Sequence, residues 1–144
     1  MAERLQPITI TTSTVTLDKR AHGETTILLS RAAGIAVTLP ASAGDGTKFR
    51  LAVHTTVTSN STTIKVANST DVMQGVAWQA ADGGSTVGGW ETAASSDTIT
   101  FDGSTTGGIK GDWVELTDLA AGFWQVEVFC SGTGTEATPF SATV

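Results

Sequence analysis

Between Lys48 and Val57 the side chains alternate one by one. Phe49, Leu51, Val53, Thr55 and Val57 fall on one side, and Lys48, Arg50, Ala52, His54 and Thr56 on the other. Phe123–Cys130 repeats the pattern, with Trp124, Val126, Val128 and Cys130 opposite Gln125 and Glu127. A period of two belongs to an extended chain whose successive Cβ atoms point to opposite faces, so each run predicts a half-buried β-strand. No stretch places apolar residues at the spacing of a helix face. A core must therefore come from sheet faces packed against each other. Of 144 residues, 26 are Thr, 12 Val and 7 Ile, whose branched Cβ favours a pleated surface. The 16 Gly supply turns.

Thr62, Ile64 and Val66 alternate with Thr63, Lys65 and Ala67 just after Ser59-Asn60-Ser61. The two runs on either side of that turn read as an antiparallel hairpin. Asp112–Leu119, with Val114 and Leu116 inward, joins Phe123–Cys130 through Ala120-Ala121-Gly122 as a second hairpin. Ile27-Leu28-Leu29 is continuously apolar, the pattern of a strand covered on both faces. Ile35, Val37 and Leu39 alternate until Pro40, which has no N–H to donate. Asp71–Trp78 and Asp97–Asp102 are weaker strands, and the glycine-dense Asp82–Gly89 reads as an exposed loop. About ten short strands separated by turns predict an all-β fold, an antiparallel β-sandwich or jelly-roll-like barrel. It forms a single domain over residues 1–144, with extended arms at 1–12 and 131–144. Thirteen extended residues at the C-terminus could span ~43 Å, enough to cross onto a neighbouring subunit.

Fourteen acidic against eight basic residues leave a net charge of −6. That balance repels phosphate backbones and anionic lipid, and no Lys/Arg cluster overrides it, so neither nucleic acid nor membrane is an expected partner. Met1–Ile10 carries Glu3 and Arg4 and no apolar run, unlike a secretory signal. Synthesis in the cytoplasm is expected. The single cysteine, Cys130, excludes an intramolecular disulfide.

The polar residues converge on no chemistry. His22 and His54 with Cys130 fall short of a zinc ligand set and lack its spacing, so the histidines read as surface groups. Cys130 shares the apolar face of Trp124 and Val128 and reads as a buried, inert thiol. Asp97, Asp102, Asp112, Glu115 and Asp118 fall at strand ends or on polar faces, where solvated carboxylates are ordinary. Asp45-Gly46, Asp82-Gly83 and Asp102-Gly103 read as turns rather than parts of a calcium loop, as does Lys110-Gly111-Asp112. No catalytic residue, metal or cofactor is expected, and the protein reads as a non-enzyme. The tryptophans differ in kind. Trp124 has a core position and Trp113 opens a strand. Trp78 and Trp90 flank the Gly-rich segment, so they are candidates for an exposed partner surface at one end of the sandwich.

Several stretches resemble a family of small virion proteins of tailed bacteriophages. They are ILLSRAAGIAVTLP (27–40), TTVTSNSTTIKVANSTDVMQG (55–75), GWETAASSDTIT (89–100), GGIKGDWV (107–114) and GTGTEATPFSATV (132–144). The resemblance implies a structural protein and carries no catalytic motif. Similar small β proteins decorate capsids, which implies a capsid decoration or cement protein. It would be a homotrimer on the outer capsid surface of the virion, bound to the major capsid protein. The alternative is a tail-associated or surface-displayed module that recognises a host receptor or glycan through Trp78 and Trp90.

Overall fold

The computed structural model describes residues 6–144. Its strands are β1 (Ile8–Ile10), β2 (Thr14–Thr16), β3 (Thr26–Leu29), β4 (Ala36–Thr38), β5 (Lys48–Val53) and β6 (Thr62–Lys65), then β7 (Val72–Ala80), β8 (Val87–Glu91), β9 (Thr98–Phe101), β10 (Trp113–Ala120), β11 (Phe123–Ser131) and β12 (Phe140–Ser141). The helical residues are one turn at Lys19–His22, capped by the Asp18 carboxylate, and a 3₁₀ turn at Asp82–Gly84. Two sheets form, a large one in the order β1-β3-β5-β10-β11-β7-β8 and a small one in the order β12-β9-β6-β4-β2. The all-β sandwich expected from the alternating segments is the fold observed.

The sheets are mixed, not wholly antiparallel. From β1 to β6 the chain crosses to the opposite sheet after every strand. Strands two apart in sequence therefore lie side by side and run parallel, as in β1–β3, β3–β5, β2–β4 and β4–β6. The hairpin expected across Ser59-Asn60-Ser61 does not form for this reason. β5 lies between β3 and β10 in the large sheet, while β6 lies between β4 and β9 in the small one. Asn60 and Ser61, both at positive φ, carry the chain over the sandwich rather than back along one face. The expected β10–β11 hairpin is present, with Val114 opposite Val128 and Leu116 opposite Val126.

The register explains the core. One row of inward side chains runs Ile8, Ile27, Leu51, Val114, Val128, Ala77, Trp90 across all seven strands of the large sheet. Facing it, Val15, Val37, Ile64, Ile99 and Phe140 form a row across the small sheet. Phe49 and Trp124, both fully buried, fill the space between with ring centroids 5.9 Å apart. β7 passes β11 at Gly75, where a Cβ would fall on the Val126 carbonyl. Only glycine allows that approach.

Four local expectations are corrected. Leu28 is half-exposed while Ile27 and Leu29 are buried, so β3 is covered on one face and its apolar run has a different cause, described below. Asp82–Gly89 is not one loop, because Val87–Glu91 pairs with β7 as a hairpin. The C-terminal segment is largely extended but does not reach away. β12 pairs with β9, Phe140 is buried, and the Thr143 and Val144 amides donate to the Asp97 carboxylate. At the other end, Ile8–Ile10 is an edge strand of the large sheet rather than a free arm. Residues 1–5 of the expected arm lie outside the described residues.

Candidate functional site

The outward side chains of the large sheet carry its most unusual surface. Parity places Thr9, Leu28, Ala52, Trp113, Phe129, Trp78 and Gly89 in one row, one residue from each strand. Six of these seven positions are apolar or glycine, where a solvent face of a sandwich ordinarily alternates to polar. This row is why Leu28 interrupts the alternation of β3. Its centre is aromatic: Trp113 stacks on Phe129 with centroids 4.6 Å apart and planes 21° apart. Trp78 is 48% exposed, Phe129 40% and neighbouring Val87 65%. A shallow depression of about 500 Å³ lies along them, lined by Trp78, Val87, Trp113 and Phe129.

The next row is charged. Arg50, Glu115, Glu127, Val76 and Glu91 lie side by side across β5, β10, β11, β7 and β8. The Arg50 guanidinium carbon sits 4.2 Å from the Trp113 ring centroid, and its Nη1 is 4.0 Å from the Glu115 carboxylate. Glu91 and Glu127 are exposed and have no cation partner among the described residues.

Trp78 and Trp90, the two residues singled out by sequence, occupy adjacent strands but opposite faces. Trp90 pairs with Ala77 and Trp78 with Gly89, so one indole points in and the other out. Trp90 packs against the core, and its Nε1–H donates to the side-chain Oε1 of Gln79 at 2.8 Å. The buried Gln79 amide in turn donates to the Thr105 carbonyl at 2.7 Å. Trp90 is thus structural, and a shared Trp78–Trp90 platform does not exist. The true neighbours of Trp78 are Phe129 and Trp113. The signal for them was parity: Phe129 follows Gln125 and Glu127 on the outward side, and Trp113 precedes Glu115 and Thr117 there.

The carboxylates read as solvated strand-end groups are largely buried, and they bind the protein's own loops. Asp118 is fully buried and accepts from the Ser42 hydroxyl, the Ala43 and Gly44 amides and the Lys19 ammonium, the last at 2.6 Å. Burial works to raise its pKa, but the Lys19 contact and the loop donors outweigh it and hold the group below the usual range. Asp97 likewise sits below its ordinary value: burial opposes, and the Thr143 amide and Thr98 hydroxyl prevail. Asp102 accepts from Ser104, Thr105 and Thr106 and is lowered by those bonds against its burial. Asp112 differs. Burial lifts its pKa despite hydrogen bonds from the Ile109, Ser131 and Gly108 amides. Glu115 alone of the five stays on the half-exposed outer face.

Cys130 is buried, and burial with the nearby Asp112 charge pushes its thiol up to about 12. It lacks the thiolate character a nucleophile needs. His22 closes the single helical turn, its Nδ1 accepting from the Asp18 amide, and His54 is exposed beside the Ser30 hydroxyl. Among the described residues no three His, Cys, Asp or Glu side chains gather where a metal could be held, and no helix is long and apolar enough to cross a membrane. Gly46, Gly83 and Gly103 adopt positive φ, so the Asp-Gly pairs are turns. The fold is a mixed two-sheet β-sandwich with an outward-facing aromatic strip. No protein-family model matches the chain, and no curated protein or solved structure matches it.

Proposed function

We propose that the protein is a structural component of a tailed-bacteriophage virion. It acts as a capsid decoration protein that docks on the major capsid protein through the outer face of its large sheet. It is a non-enzymatic cement, assembled in the host cytoplasm and carried on the outer capsid surface as a homotrimer. The observation that supports this reading is the row Leu28–Ala52–Trp113–Phe129–Trp78, with Val87 beside it. Exposed aromatic side chains on a rigid sheet are the usual anchors of protein contacts. The stretches at 27–40, 55–75, 89–100, 107–114 and 132–144 that resemble small phage virion proteins supply the biological context. A ligand that binds only the assembled shell stabilises it by mass action, and the effect repeats over the lattice.

Exposed Trp78 also fits the alternative, a glycan-recognition module on the tail or capsid surface. Glu127, Gln74 and Gln125 beside it offer hydrogen bonds to either partner, and the apolar row continuing through Phe129, Trp113, Ala52 and Leu28 favours a protein. The test is copy number in purified particles, read by gel densitometry, together with DNA retention. Hundreds of copies, and particles without the protein that assemble but release DNA more readily on heating, are expected. The variant pair Trp78→Ser and Phe129→Ser should lower occupancy on capsids while leaving the melting temperature of the isolated protein nearly unchanged. Recovery of the protein only with tail fractions would overturn the cement reading and favour the glycan module.

A further inference from the structure

Trp78 and Trp113 occupy equivalent places in the aromatic row, separated by Phe129. Their diagonal neighbours in the adjoining charged row differ. Trp113 has Arg50 on one diagonal and Glu127 on the other, and the guanidinium lies over its ring. Trp78 has Glu127 on one diagonal and Glu91 on the other. Both are exposed carboxylates without a cation among the described residues. Beside Trp78 a second groove of about 400 Å³ runs past Gln74, Val76, Gln125 and Glu127. The groove is therefore lined by the Trp78 indole together with a carboxylate and side-chain amides.

We propose that this groove takes the guanidinium of an arginine presented by the partner protein, stacked on Trp78 and paired with Glu127. The inference rests on the docking reading above and names the chemistry of its contact. A cation over an indole face is attracted by the ring quadrupole, and arginine stacks flat while its fork meets a carboxylate. Diagonal cross-strand neighbours lie ~7–8 Å apart, within reach of one long side chain. The protein already makes this arrangement once, with its own Arg50 over Trp113 and against Glu115. The excess of 14 acidic over eight basic residues favours a basic partner segment.

The test uses the full chain labelled with ¹⁵N, whose four tryptophans give indole N–H signals assigned by single substitution. Acetyl-Gly-Arg-Gly-amide is titrated at millimolar concentration, alongside the same peptide carrying lysine or citrulline. A saturable shift of the Trp78 signal is expected with arginine, weaker with lysine and absent with citrulline. Glu127→Gln should weaken the arginine response about five-fold, the size of an exposed cation–π or ion-pair contact, and added salt should weaken it further. Equal responses to arginine and citrulline, or an unchanged response in Glu127→Gln, would overturn the proposal. Capsid occupancy separates it from the docking reading. Loss of occupancy in Trp78→Ser but not in Glu127→Gln would keep the docking face and remove the arginine. Arginine binding with no capsid occupancy would do the reverse.

Discussion

Single side chains in this sandwich divide by parity into those that hold the fold and those that face outward. Trp124 belongs wholly to the first group. It is fully buried against Phe49, and its Nε1–H finds no hydrogen-bond partner among the described residues. Removing the indole leaves a large void, so Trp124→Ala should cost ~3–5 kcal/mol in urea unfolding. Trp124→Phe should cost markedly less, because it keeps most of the ring contact and deletes a donor that is buried without compensation. Equal losses in the two variants would show that volume alone matters at this position. A wild-type melt for Trp124→Ala would show that β11 is not a core strand. Trp78 lies on the same sheet with its indole turned the other way, and its truncation leaves no void.

At the scale of elements, β12 reverses the role expected of the C-terminal segment. Composition marks residues 131–144 as small and polar, a profile suited to a free arm. Two groups inside the segment override that profile. Phe140 continues the inward row of the small sheet beside Ile99, and the Asp97 carboxylate holds the Thr143 and Val144 amides. Phe140→Ala should therefore destabilise the isolated domain by ~3 kcal/mol, within the range for large core truncations. Deletion of 132–144 should lower the melting temperature further, since it also bares the β9 edge and frees the Asp97 carboxylate. A truncated protein that melts like the full chain while losing capsid occupancy would restore the arm to the docking mechanism.

Across the whole molecule, carboxylates bonded within the protein tie loops to the sandwich and set its pH tolerance. Asp97, Asp102 and Asp118 are held below their ordinary values, and Asp45, bonded to Lys19, is lowered to about 2. Each binds its proton less readily folded than unfolded. Their contribution is complete above the unfolded carboxylate value of ~3.9 and is lost as the pH falls towards the folded values. Asp112, raised by burial, runs the other way and regains stability as it protonates, but it is outnumbered. Lys19 is raised above 10.5, so its share is lost only as the pH climbs past that value. The melting temperature should be flat from about pH 5 to about pH 9, fall steeply below about pH 4, and decline again above about pH 10.5.

Alternation by itself determined the long strands β5, β10 and β11 and their buried faces. Phe49, Leu51 and Val53, or Trp124, Val126 and Val128, point inward wherever the strand sits, because the period of two is a property of the extended backbone. Parity also carried Phe129 and Trp113 outward, legible once the alternation is followed to the strand ends. The tertiary structure decided which strands meet. A period-two pattern is identical in either sheet, so nothing local tells the chain to cross the sandwich after Ser59-Asn60-Ser61 instead of folding back. That choice depends on which inward rows interlock. It sets β11 between β10 and β7, with β8 alongside β7, and so gathers Trp113, Phe129 and Trp78 into one row while turning Trp90 into the core. The same long-range packing buries Asp118 under the distant loop at residues 42–44, whereas Asp112 is held by its own turn at Gly108 and Ile109 and by Ser131 of β11. The exposed aromatic row is thus written residue by residue and assembled only by the meeting of strands far apart in sequence.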